Sequence, residues 1–137
     1  MNIWHLENKN WTQLILLRTD KCNFRVVQFG DYKPLLGNTH YILIDKKYAL
    51  IFKGLSKQLT FQEVTIFDYN LKTETDNYIE LNIINTIVTS SIKLEDSKGL
   101  KIWKYAGNVF VSDDLKTELQ KINDDDFVFT IGFSHFG

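Results

Sequence analysis

Chain breakers and cross-links are scarce in this sequence. Proline and cysteine each occur once in 137 residues, at Pro34 and Cys22. A single cysteine excludes an intramolecular disulfide, which matches a reducing compartment. No stretch approaches the roughly 18 to 20 consecutive apolar residues that a spanning helix requires. The first ten residues include His5, Glu7 and Lys9 and hold no apolar run long enough for a signal peptide. A cytoplasmic protein without membrane association is therefore expected. A charge excess of one sign is lacking too. The formal net charge is -1, so the field of the whole molecule exerts no strong pull on nucleic acid. Any imbalance is local. Residues 1–68 hold 9 Lys/Arg against 6 Asp/Glu, and residues 69–137 hold 7 against 11, giving +3 and -4.

What is present favours strands. Aromatic residues make up 14% of the chain, beside abundant Ile, Val and Thr, and these side chains fit a pleated, half-buried surface. Hydrophobic residues at 44% and charged residues at 24% describe an ordinary globular chain, and the length suits one domain over residues 1–137.

The apolar runs Gln13 to Leu17 and Phe24 to Phe29 flank a polar Asp20-Lys21 turn and read as a hairpin. Gly30 to His40, with Gly30, Pro34, Gly37 and Asn38, reads as a loop. Tyr41 to Ile44 is a strand leading into a helix. There Asp45 is the cap, and Tyr48, Phe52 and Leu55 recur at offsets of three, seven and ten. A second hairpin joins the strand through Val64 and Ile66 to the strand through Ile79, Leu81 and Ile83. Its turn spans Asn70 to Asn77, and Ile87 and Val88 extend its return strand. A third joins Leu100 to Tyr105 with Val109 to Val111, where Gly107 and Asn108 tolerate the positive φ of a tight turn. Ser112 then caps a helix with Asp113 and Asp114 in its first turn and Leu115, Leu119 and Ile122 on one face. Phe127 to Phe133 closes the chain as a strand. The plan of strand, capped helix and strand thus occurs twice, with Asp45 and Ser112 in equivalent places. The expected fold is α+β, a mixed, largely antiparallel sheet of about seven strands with two short helices on one face.

No reactive constellation is visible in the linear sequence. His5, His40 and His135 are isolated, and with one cysteine they form no zinc-ligand spacing. Cys22 sits in a turn without a strand-to-helix elbow. The seven glycines form neither a phosphate loop nor a dinucleotide fingerprint. Asp124-Asp125-Asp126 is the most suggestive charge run, but three adjacent carboxylates cannot wrap a cation, so neither a metal nor a cofactor is expected. The run reads as a solvated helix-to-strand connection or as part of a surface for a basic partner. Of Trp4, Trp11 and Trp103, most should pack internally, and an exposed one is a candidate stacking platform or interface anchor.

The run "YIELNIINTIVTSSIKLEDS" from Tyr78 to Ser97, with "FQEVTIFD" before it and "NVFVSDDLKTELQKI" after it, resembles bacterial immunity proteins of the MXAN-type immunity domain family from polymorphic toxin systems. The likeness covers roughly residues 41–133. It rests on the Val111-Ser112 step into an acidic-capped helix and on the Leu81-Asn82 step ending an aromatic-rich strand. The chain differs in carrying Asn123 and the Asp124 to Asp126 run where that family has a glycine. The resemblance implies a non-enzymatic, antitoxin-like protein that binds a cognate toxin. If that toxin has a basic site, Asp113, Asp114, Glu118, Asp124, Asp125 and Asp126 are the contact candidates. The partner expected is thus a toxin protein, with no nucleic acid and no membrane, and nothing indicates a homo-oligomer. The alternative is a small enzyme or a scaffolding domain whose site is assembled from residues distant in sequence. For the enzyme, a pocket gathering His40, Cys22 or a buried carboxylate would be the sign.

Overall fold

A computed structural model describes residues 2–86 and 98–131. The hairpins form as expected, from β2 (Ile15–Asp20) and β3 (Asn23–Gln28), β6 (Leu59–Asp68) and β7 (Thr73–Ile83), and β8 (Ile102–Tyr105) and β9 (Asn108–Ser112). Two further strands arise where none is expected. β1 (Ile3–Asn8) lies in the N-terminal segment and β4 (Leu35–Gly37) in the Gly30 to His40 loop. With β5 (Ile42–Asp45) and β10 (Phe127–Ile131), the strands divide into two sheets, not one of about seven strands. The four-stranded sheet runs β10-β1-β9-β8 and is antiparallel throughout. The six-stranded sheet runs β2-β3-β6-β7-β5-β4, and among the described residues its one parallel pairing is β3 with β6. The cause of the split is β1. It inserts between β9 and β10, pairing Leu6 with both Val109 and Phe129, and so gives the C-terminal strands a sheet of their own.

The two capped units share a geometry. A 3-10 turn at Lys46–Tyr48 leads into α1 (Ala49–Lys53), and the Asp45 side chain accepts from the Lys47 amide. Ser112 accepts from the Leu115 amide at the start of α2 (Asp113–Ile122). Strands β5 and β6 flank β7, and strands β9 and β10 flank β1. Each unit is therefore a pair of parallel strands joined by a helix and split by one antiparallel strand. The expected helical faces are buried at Tyr48, Phe52, Leu55, Leu115 and Leu119, each contributing roughly 1.5–3 kcal/mol by transfer from water. Ile122 is the exception, 41% exposed at the last position of α2.

Both sheets feed one core, which joins Leu6, Ile102, Val109, Val111 and Phe127 to Ile42, Ile44, Leu59, Ile79, Leu81 and Ile83 under the two helices. A second cluster, including Leu16, Phe24, Leu43, Val64 and Tyr78, lies on the other face of the six-stranded sheet. That face is closed by curling of the sheet, for the Leu16 amide in edge strand β2 donates to Tyr41 Oη beside β5, at 3.1 Å.

Two turns differ from expectation. The positive φ values of the β8–β9 turn fall on Ala106 (49°) and Gly107 (85°), one position earlier than Gly107 and Asn108. The β6–β7 turn is complete by Lys72 (φ 54°), so Thr73 to Asn77, polar and expected in the turn, lie in β7, where Thr73 to Thr75 pair with Ile66 to Asp68 and Asp76 and Asn77 fall at a register shift. Ile87, Val88, Phe133 and His135 lie outside the described residues.

Candidate interaction surface

The six acidic candidates fall into two groups. Asp113 and Asp114 begin α2 and Asp124 to Asp126 follow its end; a ten-residue helix is about 15 Å long, so the two groups are held apart. Two of the six have internal roles. Trp4 Nε1 donates to Asp113 Oδ1 at 2.7 Å and the Asn2 amide to Oδ2 at 3.2 Å; the Trp4 bond chiefly holds this carboxyl below the usual carboxylate range. Asp126 accepts from Tyr48 Oη and from Lys47 Nζ, each at 2.6 Å, and thereby fastens the first helical unit to the start of β10. Burial first, then the Asp126 bond, raises the Tyr48 hydroxyl far above its ordinary pKa. Glu118 pairs with Lys121 at 3.0 Å and Asp125 with Lys9 at 3.2 Å. Asp114 and Asp124 are exposed.

The structure reveals a charged network that the alternation of β7 concealed. Glu80 reads as a solvent-facing residue between Ile79 and Leu81, yet its side chain is only 3% exposed because the curled sheet covers that face as well. It is ion-paired with Arg18 of β2, whose guanidinium lies 4.6 Å from the Phe24 ring centroid. Gln62 Nε2 donates to Glu80 Oε1 at 2.9 Å and to the Lys21 carbonyl at 2.8 Å, and the Cys22 thiol lies 3.8 Å from Gln62 Oε1. Beside Glu80, a cleft of about 250 Å³ runs between the β4–β5 and β8–β9 turns, walled by His40, Asn82, Thr86 and Lys104. Cys22 does not line it. A larger groove of about 460 Å³ separates β1 from β4, with His5 and Glu7 in its wall, His5 Nδ1 3.1 Å from the Glu7 carboxylate, and Trp11 82% exposed in its lining. Trp103 is buried and Trp4 half-buried, so Trp11 is the tryptophan left at the surface.

The most distinctive surface lies on β2, β3 and the end of β6. Leu14, just before β2, and Leu16 within it pack in the second core cluster, while Ile15 and Leu17 are exposed. In β3, Phe24 is buried and Val26 packs on the same cluster, while Arg25 and Val27, with Phe29 just beyond the strand, are exposed. Register places Leu17 opposite Arg25 and Arg25 opposite Phe67, which stacks on Tyr69 with centroids 6.1 Å apart. The exposures are large: Ile15 43%, Leu17 49%, Val27 48%, Phe29 66% and Tyr69 64%. Together these apolar side chains present on the order of 500 Å², at the upper end of what a monomer ordinarily leaves uncovered. The signal was in the sequence as two β-prone runs apolar at both alternating sets of positions, Ile15-Leu16-Leu17 and Val26-Val27. Such runs mean two buried faces or one buried face and one awaiting cover.

No helix among the described residues is long and apolar enough to cross a membrane, and no group of three or more His, Cys, Asp or Glu converges there. In comparisons with known proteins, no family model, no curated protein and no solved structure matches the chain.

Proposed function

We propose that this chain is an immunity protein of the antitoxin type, which binds a cognate bacterial toxin and neutralises it by covering the toxin's working surface. The observation that carries this reading is the uncovered apolar face on β2, β3 and β6. Water-exposed Leu, Val, Phe and Tyr in one contiguous patch around an arginine have the composition of an interface centre. A stable complex buries about 800 Å² per partner, and this patch would form the apolar centre of such a contact. The resemblance of residues 41–133 to the MXAN-type immunity domain gives the partner its class. Co-expression with the protein encoded beside this one tests the reading. Copurification and rescue of growth are expected, and failure of both removes it.

A second reading has one specific observation behind it. Glu80 lies buried at a cleft that also holds His40, the arrangement expected of an enzyme assembled from residues distant in sequence. The carboxylate is already engaged by Arg18 and Gln62 on both oxygens, which favours a structural role.

A further inference from the structure

We infer that the face on β2, β3 and β6 docks a different protein, one that presents a carboxylate to Arg25 within an apolar surround, and not a second copy of this chain. The inference rests on the binding reading above and names the chemistry of the partner. Leu17 and Phe67 flank Arg25 on the neighbouring strands, and Val27 follows it on the same face of β3. The other arginine of this hairpin, Arg18, is turned to the opposite face, where Glu80 holds it. Arg25 makes no ion pair among the described residues.

A guanidinium at the centre of an apolar patch decides between occupants. A two-fold contact centred here would bring two arginines together as the surrounding side chains exclude water, and like charges there oppose association. A surface with a carboxylate at its centre gains the charge-assisted, two-pronged bond that a planar guanidinium is built for. The carboxylates at the two ends of α2 are therefore not the principal contacts, and the polarity expected of a basic toxin site is reversed.

The test is a titration of the adjoining gene product against the full-length protein and four variants, with sedimentation velocity on each free protein. Arg25→Glu should weaken binding at least about 30-fold and Leu17→Asp at least about tenfold. The double variant Asp114→Lys/Asp124→Lys should bind within about twofold of the parent. Arg25→Lys should retain part of the affinity, because it keeps the charge and loses the planar fork. Leu17 and Arg25 point outward, so unchanged thermal midpoints are expected and separate lost binding from lost folding. Binding unaffected by Arg25→Glu and Leu17→Asp overturns the inference and leaves the immunity reading standing. A self-associating parent that Leu17→Asp renders monomeric also overturns it, assigning the face to a second copy. A parent protein that shows neither binding nor growth rescue removes the immunity reading, and this inference with it.

Discussion

Replacing Arg18 by alanine should destabilise the protein more than replacing Glu80 by glutamine, although both break the same ion pair. The asymmetry follows from exposure, since the Glu80 side chain is 3% exposed and that of Arg18 37%. Without Arg18, a carboxylate stays buried with Gln62 as its remaining side-chain donor, and the Phe24 ring loses its cation. Stranding a buried charge costs about 3–5 kcal/mol; entry of water through the opening left by Arg18 puts this case at the lower limit, about 3 kcal/mol. Glu80→Gln keeps the size of the side chain and a carbonyl oxygen for a donor. The arginine left behind is already over a third hydrated, so the loss is about 1 kcal/mol. At about 4 °C per kcal/mol for a chain of this length, the thermal midpoints should fall by about 12 °C and about 4 °C. The double variant tests the cause. It strands no carboxylate and should be less destabilised than Arg18→Ala alone, with a coupling of about 2 kcal/mol. Urea unfolding followed by fluorescence of buried Trp103 measures all three at a shared m-value. Additive single effects, or a milder loss for Arg18→Ala than for Glu80→Gln, would refute the reasoning.

Three further outcomes are expected. Ser112→Ala should cost about 2 kcal/mol in chemical unfolding, because a fully buried hydroxyl donates to the Gly99 carbonyl and accepts from the Lys101 and Leu115 amides. Gly107→Ala should cost more than 2 kcal/mol, since a Cβ there would lie 2.6 Å from the Asn38 carbonyl carbon at a φ of 85°; Ala106→Gly, at a φ of 49°, should be neutral or stabilising by the same assay. Asp113 contributes stability that is present above its ordinary value near 3.8 and lost as pH falls through its lower folded value. Asp113→Asn should therefore flatten the fall of stability below about pH 4 in an acid titration followed by circular dichroism.

Local signals found the hairpins and both helical caps, because those depend on residues close in sequence. The Asp45 and Ser112 side chains each accept the backbone bond their positions imply. The division into two sheets was not legible, since it depends on β1 pairing across more than a hundred residues with β9 and β10. Nothing in Ile3 to Asn8 announces which strands will receive it. β4 was hidden for a different reason. Its backbone is held at Leu35 by the Asn8 side chain, which accepts from the amide at 3.0 Å and donates to the carbonyl at 2.6 Å, so a distant asparagine makes a strand of a Gly- and Pro-punctuated loop. The burial of Glu80 was not legible either, because strict alternation implies one wet face only when the sheet is covered on one side. The acidic candidates were chosen by charge and nearness in sequence, and neither reveals that Trp4 and Tyr48 would claim Asp113 and Asp126.

The same side-chain clamps bear on how a partner can bind. Edge strands invite pairing through their free backbone groups, but three of the four outer strands are blunted. On β8, the Ile102 amide donates to Gln58 Oε1, the Lys104 amide to the Asn85 carbonyl, and the Ile102 carbonyl accepts from Asn85 Nδ2. Asn8 serves Leu35 on β4, and β2 carries two register shifts with its Leu16 amide given to Tyr41. Strand addition at these edges would have to break bonds already made. Docking on the face of β2, β3 and β6 breaks none, because Ile15, Leu17, Arg25, Val27 and Phe29 meet solvent with side chains alone. An added strand reads mostly backbone and so discriminates weakly among partners, whereas a face of packed side chains around one charge rejects any surface that does not complement it. The proposed recognition of a single cognate protein needs the second kind of contact.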